Sequence, residues 1–242
     1  VEDTAVAPDK LDEHLARLQE ILDRHGLRAG LYGHASVGCI HVRPYLDLTA
    51  PGGVATLKAV AEEVVAQVRE LGGVISSEHG DGRVRSPFNR AVFGEELYGA
   101  FREVKRLFDP QGILNPDVMV DAEPLETHLR DLALPEARPL VTTLSFDGGM
   151  RAAADRCQRI GACRKSGTGT MCPSYMATRE EEHSTRGRAN ALVRALSSPD
   201  PHAALGDERL HGILDLCLAC KACKSECPLS VDMAALKTET LA

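Results

Sequence analysis

The run Cys217-Leu-Ala-Cys220-Lys-Ala-Cys223-Lys-Ser-Glu-Cys227-Pro228 constrains this 242-residue chain more than any other feature. Thiolates are soft ligands that suit iron–sulfur clusters and zinc. Spacing of the form C-x2-C-x2-C-x3-C-P sets three sulfurs around one cube of iron and sulfide and sends the fourth elsewhere. In two-cluster ferredoxins that fourth cysteine serves the other cluster. Zinc sites usually pair two C-x2-C knuckles, whereas the intervals here overlap. The run therefore marks an iron–sulfur electron carrier. The rival reading is a zinc-stapled interaction module, which would be colourless where an iron–sulfur protein is brown.

Of the eight cysteines, Cys39 stands alone and the other seven crowd the C-terminal third. Such clustering, without a secretory signal, points to metal rather than to disulfides. The earlier group is irregular. Cys157-Gln-Arg-Ile160-Gly-Ala-Cys163 would repeat the motif if Ile160 were Cys, and Cys172-Pro173 follows late, after the glycine-rich stretch from Gly167 to Gly169. By the crossing rule Cys217, Cys220, Cys223 and Cys172 hold one complete [4Fe–4S] cluster. Cys157, Cys163 and Cys227 are left to a second site with three thiolates. It would be a [3Fe–4S] cluster, a [4Fe–4S] cluster with a non-cysteine ligand, or empty; the bland alternative is three buried thiols. Arg164, Lys165, Lys221 and Lys224 lie beside the motifs, as counter-charges or as a solvated edge, and Arg186-Gly187-Arg188 opens a helix pattern between the two groups.

Hydrophobic residues make up 43% of the chain, enough for a real core. A net charge of −7 and 4% aromatics speak against a nucleic-acid partner. No apolar run reaches the roughly 20 residues that span a bilayer. Leu11, Leu15, Leu18 and Leu22 predict a helix over 9–26, capped by Asp9 and closed by Gly26. Residues 31–43 read as extended, 54–71 as an amphipathic helix, 74–77 as a strand and 95–107 as a helix. This predicts an α+β domain over 1–120, a proline-bearing linker over 121–145, and a mostly helical domain over 146–242. Helical segments are expected near 149–160, 179–198, 208–219 and 230–241. The start at Val1 reads as a chain entered mid-way.

Ile40 and Val42 alternate with His41 and Arg43, which puts His41 and Arg43 on the strand face away from the core. Gly38 allows the bend that brings His34 to the same side. Ser77-Glu78-His79-Gly80-Asp81-Gly82 follows a strand candidate. Two histidines and a glutamate are a known ligand type for a divalent metal. His79 is left as a candidate base and Arg43 as a carboxylate clamp.

With Gly33-His34, Gly38, His41, Ser77 to Gly82 and Phe108-Asp-Pro-Gln-Gly-Ile-Leu-Asn115-Pro116, residues 27–120 resemble the C-terminal, substrate-side domain of FAD-linked 2-hydroxyacid dehydrogenases. That family includes the D-lactate, glycolate and D-2-hydroxyglutarate dehydrogenases. Residues 150–235 resemble the α-helical ferredoxin module fused to such enzymes. The resemblance implies a cap domain with an antiparallel sheet and helices, followed by a helical ferredoxin-like domain. It implies His34, His41 and Glu78 as ligands of a divalent metal, usually zinc, and His79 as the catalytic histidine. Asn115, with Gly80 and Gly82, would lie on the FAD side. Two departures stand out: Arg43 where many members have Asn, and Gly38-Cys39-Ile40-His41 where members have Gly-Asn-Leu-His.

The implied function is oxidation of a D-2-hydroxyacid by FAD, with electrons passed to the 4Fe–4S cluster. The alternative is a non-catalytic electron-transfer subunit that docks on a separate flavoprotein. No dinucleotide fingerprint is present, so the FAD-binding domain, and a cysteine-rich domain further on, are expected elsewhere in a longer polypeptide. The 242 residues alone are expected to be inactive. The expected location is cytoplasmic or peripheral to a membrane.

Overall fold

The computed structural model describes residues 2–129 and 140–242, and these form two compact units. The proline-rich middle of the expected linker, 130–139, lies outside the described residues.

The first unit runs through β1 (Thr4–Ala5), α1 (Leu11–Arg24), β2 (Ala29–His34), β3 (Cys39–Pro44), α2 (Gly53–Glu70), α3 (Gly82–Arg85) and α4 (Asn89–Phe108). Its sheet is antiparallel in the order β1-β3-β2, with Tyr32 opposite His41 and His34 opposite Cys39. Ile40 and Val42 point to one face of β3, where they meet Leu18, Ile21 and Leu22 of α1 and Val60, Val64, Val65 and Val68 of α2. Each such side chain contributes roughly 1.5–3 kcal/mol on burial. That core face fixes the register, and so commits Cys39, His41 and Arg43 to the other face.

A tight turn joins β2 to β3 and brings β1 in. Gly38 sits at φ 71°, and a Cβ there would stand 1.8 Å from the Val6 carbonyl oxygen. Behind the sheet a polar group is sealed in. His14 is fully buried, with Thr4 Oγ1 2.9 Å from its Nε2 and Gln67 Nε2 2.9 Å from its Nδ1.

The second unit is helical: α5 (Gly149–Asp155), α6 (Pro173–Thr178), α7 (Thr185–Leu196), α8 (Pro201–Leu205), α9 (Glu208–Asp215), α10 (Ala222–Glu226) and α11 (Met233–Thr240). Leu192, Val193 and Leu196 of α7 anchor its core with Met150, Leu210, Leu214, Met233 and Leu236. Side-chain oxygens of Ser184, Asp200, Asp207 and Asp232 cap α7, α8, α9 and α11. Each cap typically contributes about 1 kcal/mol. Gly187 lets α7 start against the preceding turn, since a Cβ there would lie 2.1 Å from the Glu181 carbonyl oxygen.

The α+β unit followed by a helical unit is as the sequence indicates, but several local readings need correction. Asp9 is no cap: it lies in a 3-10 turn over Pro8–Lys10, and α1 begins after Lys10 without a side-chain cap. The strand expected over 74–77 reduces to one bridge, Val74 with Ala5. There the chain turns toward Asp3 instead of continuing a ladder. The segment expected as helix over 208–219 stops at Asp215, and Ala219 and Lys221 take positive φ of 48° and 64°. That unwinding lets Cys217 and Cys220 face a common space. Likewise α5 ends at Asp155, ahead of Cys157, and α7 begins only at Thr185.

Candidate functional site

In the first unit β3 and the segment after Ile75 carry the histidines to one point. His41 Nε2 lies 2.8 Å from Glu78 Oε1, and His34 Nε2 lies 3.3 Å from the same oxygen. His79 stacks on His41 with ring centroids 4.6 Å apart, and Tyr32 closes over His41 at 4.7 Å. His41 faces away from the hydrophobic core, but it is only 1% exposed, because Asp3, Tyr32 and His79 cover it. Its Nδ1 is buried without a hydrogen-bond partner, with Asp3 Oδ1 3.9 Å away. Two imidazole nitrogens converging on one carboxylate oxygen are a donor set that fits zinc or a similar borderline divalent ion.

Three members of this site escaped the sequence reading. Asp3 is fully buried and accepts the backbone N–H groups of Ser77, Glu78 and His79. Burial pushes its carboxyl up, yet the His79 N–H, the Ser77 hydroxyl, the Glu78 N–H and the Ser76 hydroxyl outweigh that and hold it at about 2. Cys39 Sγ lies 3.7 Å from His41 Nε2 and 2.9 Å from Ser77 Oγ. Asp3, Cys39, His41 and Glu78 each place one ligand atom within 4.8 Å of the others. Glu2 is the third: its Oε1 accepts from Arg43 Nη2 at 2.8 Å and lies 3.7 Å from His79 Nδ1. Arg43, expected as a carboxylate clamp, is thus ion-paired, and it lies over the Tyr32 ring. No sequence signal marked Asp3 or Glu2, because their roles depend on the pairing of β1 with β3.

Gly80 and Gly82 take positive φ on an open stretch where an added Cβ would meet nothing within 4 Å. Asn115 lies in the segment after α4, at a positive φ of 48°. Asp109 holds the start of that segment through the N–H groups of Ile113 and Leu114, and Ser86 and Asn89 hold its end at Met119.

In the second unit the cysteines sort into two cavities. One is lined by Cys172, Cys217, Cys220 and Cys223 with Met171, Arg188 and Met233. The other is lined by Cys157, Cys163 and Cys227 with Ile160 and Arg186. This is the division the crossing of the two motifs implies. Four thiols around the first space fit a four-thiolate cluster. The second space offers three thiols, one fewer than the first.

Burial raises the Cys163 and Cys223 thiols above their usual range. Burial would do the same to Cys172, but the Ser174 hydroxyl, the Tyr175 N–H and the Arg188 guanidinium overcome it and bring that thiol down. Three of the basic residues beside the motifs are spoken for. Arg164 pairs with Glu181 at 3.0 Å, Lys165 with Glu226 at 2.9 Å and Lys224 with Asp232 at 2.9 Å.

Residues 1–119 match the family described as FAD linked oxidases, C-terminal domain, and residues 148–231 match the 4Fe-4S dicluster domain. The chain thus carries a domain of the FAD-linked oxidase C-terminal type followed by a 4Fe-4S dicluster domain. It is similar to D-2-hydroxyglutarate dehydrogenase of Escherichia coli K12, with 30% identity over 99% of this chain and 27% of that protein. The enzyme of the same name from Pseudomonas putida is 32% identical over 96% of this chain and 26% of its own length. D-lactate dehydrogenase of Archaeoglobus fulgidus is 35% identical over 49% of this chain and 26% of its own length. The chain thus spans about a quarter of the length of the curated relatives it matches.

Proposed function

We infer that this chain is the substrate-side and iron–sulfur part of a flavoprotein that oxidises a D-2-hydroxyacid and sends the electrons out through its clusters. The observation that carries this reading is the meeting of His34 and His41 on one oxygen of Glu78, with His79 stacked alongside. A carrier that only relays electrons needs no such group, which weighs against the docking-subunit alternative.

In this reading His34, His41 and Glu78 hold a divalent ion, zinc by the donor chemistry. When bound, the ion would acidify a substrate hydroxyl, the flavin would take the α-hydrogen with its electron pair, and the clusters would pass electrons on singly. His79, whose Nδ1 lies 3.7 Å from Glu2 Oε1, takes the hydroxyl proton. Arg43 orients the substrate carboxylate once Glu2 yields its guanidinium. Gly80 and Gly82 leave backbone room on the side given to FAD, the side to which Asn115 is also assigned. Cys172, Cys217, Cys220 and Cys223 hold a [4Fe–4S] cluster, and Cys157, Cys163 and Cys227 a [3Fe–4S] cluster. The remaining domains, FAD-binding and cysteine-rich, are placed in the same polypeptide, which works in the cytoplasm. Among the described residues no helix is long and apolar enough to cross a membrane.

The test is turnover of the full-length protein with a panel of D-2-hydroxyacids and an artificial acceptor. The names of the relatives put D-2-hydroxyglutarate first in that panel. Activity should appear with at least one member and collapse in His79→Asn. A full-length protein with flavin and iron in place but inert to every member would refute the reading.

A further inference from the structure

Arg188 is fully buried in the second unit, in the first turn of α7. Its Nε donates to the Ile213 carbonyl at 3.0 Å, and its Nη1 to the His183 carbonyl at 2.6 Å. Nη2 donates to Ser174 Oγ at 3.0 Å, and Nη1 also reaches Cys172 Sγ at 3.5 Å. No carboxylate is among these partners. A guanidinium cannot shed its proton, and a buried charge left uncompensated is strongly unfavourable. Among its hydrogen-bond partners in the described residues, the one group that can become an anion is the Cys172 thiol. That thiol lines the same cavity as Cys217, Cys220 and Cys223.

We propose that Arg188 is the built-in counter-ion of the cluster held by Cys172, Cys217, Cys220 and Cys223, and that it raises the reduction potential of that cluster. The proposal rests on reading the cavity as an iron–sulfur site. One-electron reduction adds a negative charge to a group that already carries four thiolates. A fixed cation at one corner stabilises the reduced state more than the oxidised one. Burial matters, because solvent weakens the same effect for an exposed cation. Lys221 lines the cavity but is exposed, and Lys237 donates to the Cys217 carbonyl at 2.8 Å rather than to a sulfur. Arg186, two residues earlier on the same helix, is already matched by Glu181 at 2.7 Å. The hydrogen bonds to His183, Ile213 and Ser174 hold the fork of Arg188 in place, so it needs no rearrangement when the electron arrives.

The experiment is a potentiometric titration of the anaerobically reconstituted chain, with iron and sulfide counted in each variant. Arg188→Met removes the charge at similar volume, Arg188→Gln keeps polar donors, and Arg188→Lys keeps the charge. The Met and Gln variants should hold the iron and sulfide of the parent while the one-electron equilibrium shifts at least tenfold toward the oxidised cluster, about 59 mV. Arg188→Lys should stay closer to the parent. A cluster in Arg188→Met or Arg188→Gln at the parent potential overturns the proposal. If neither variant assembles a cluster, rescue of assembly by Arg188→Lys supports it, and failure of all three shows a role of shape rather than charge and overturns it. Absence of iron from the parent chain would instead refute the iron–sulfur reading, so the two failures are distinguishable.

Discussion

The carboxylate of Asp3 accepts the backbone N–H of His79 at 2.9 Å across 76 positions of sequence. The same carboxylate takes the N–H groups of Ser77 and Glu78 and the hydroxyls of Ser76 and Ser77. One buried side chain therefore aims the whole segment that presents Glu78 and His79. Asp3→Ala would strand several of these donors, at about 3 kcal/mol in total. The expected outcome is a lower denaturation midpoint together with weaker zinc binding in a competition titration. Unchanged zinc affinity in a folded Asp3→Ala protein would mean that the segment is aimed by something else.

His14 makes the first unit sensitive to mild acid. Gln67 Nε2 donates both to His14 Nδ1 and to the His14 carbonyl, the latter at 2.7 Å, so Nδ1 must stay unprotonated. Burial, helped by the nearby Arg17 charge, lowers its pKa below the usual 6.5. The unfolded chain then takes up a proton that the folded one resists. Stability is flat above about pH 6.5 and falls as pH drops below it toward the folded pKa, at no more than about 1.4 kcal/mol per pH unit. Denaturant melts at about pH 7.5 and about pH 5.5 should show this loss, and His14→Gln should reduce it. An equal loss in both proteins would assign the acid sensitivity to other groups.

Glu226 ties the two cysteine groups together. Its carboxylate accepts from Lys165 Nζ at 2.9 Å and from the N–H groups of Thr170 and Met171, at 2.8 and 3.2 Å. Lys165 first, and then those two N–H groups, hold the carboxyl at about 2. The clip fastens the glycine-rich stretch ahead of Cys172 to the residue beside Cys227. Glu226→Ala should leave the cluster content of anaerobic protein unchanged but speed bleaching of the brown chromophore in air several-fold. Bleaching at the parent rate would show that the stretch is fixed without it.

Much of this was legible in the sequence because it is local. The alternation of Ile40 and Val42 with His41 and Arg43 gave the strand and its two faces. The crossing of two C-P motifs sorted Cys172 with Cys217, Cys220 and Cys223. What could not be read depends on partners distant in sequence. Asp3 sits in a two-residue strand that exists because β3 pairs with it, and nothing in Val1 to Ala5 has a period to detect. Arg188 falls in an Arg-Gly-Arg run that suits a solvated helix end equally well. Its burial follows from Gly187, which lets α7 close on the Glu181 turn. Helix ends were misplaced where cysteines needed loops: α9 stops at Asp215 because Cys217 and Cys220 have to turn inward.

The second cavity offers one thiol fewer than the first, and a single substitution can supply it. Ile160 stands between Cys157 and Cys163 at the spacing Cys220 has between Cys217 and Cys223, and it lines the cavity with Cys227. It is 63% exposed, so a smaller polar side chain there costs little packing. Ile160→Cys would supply a fourth thiolate to the space lined by Cys157, Cys163 and Cys227, matching the thiol count of the first space. A three-iron cluster should then become a four-iron one, which adds about one iron and removes the paramagnetic signal that a [3Fe–4S] centre gives in oxidised protein. Iron counting and electron paramagnetic resonance on anaerobically prepared parent and variant would read both changes. A parent with no oxidised-state signal, and a variant with the same iron, would mean that Cys157, Cys163 and Cys227 hold no three-iron cluster.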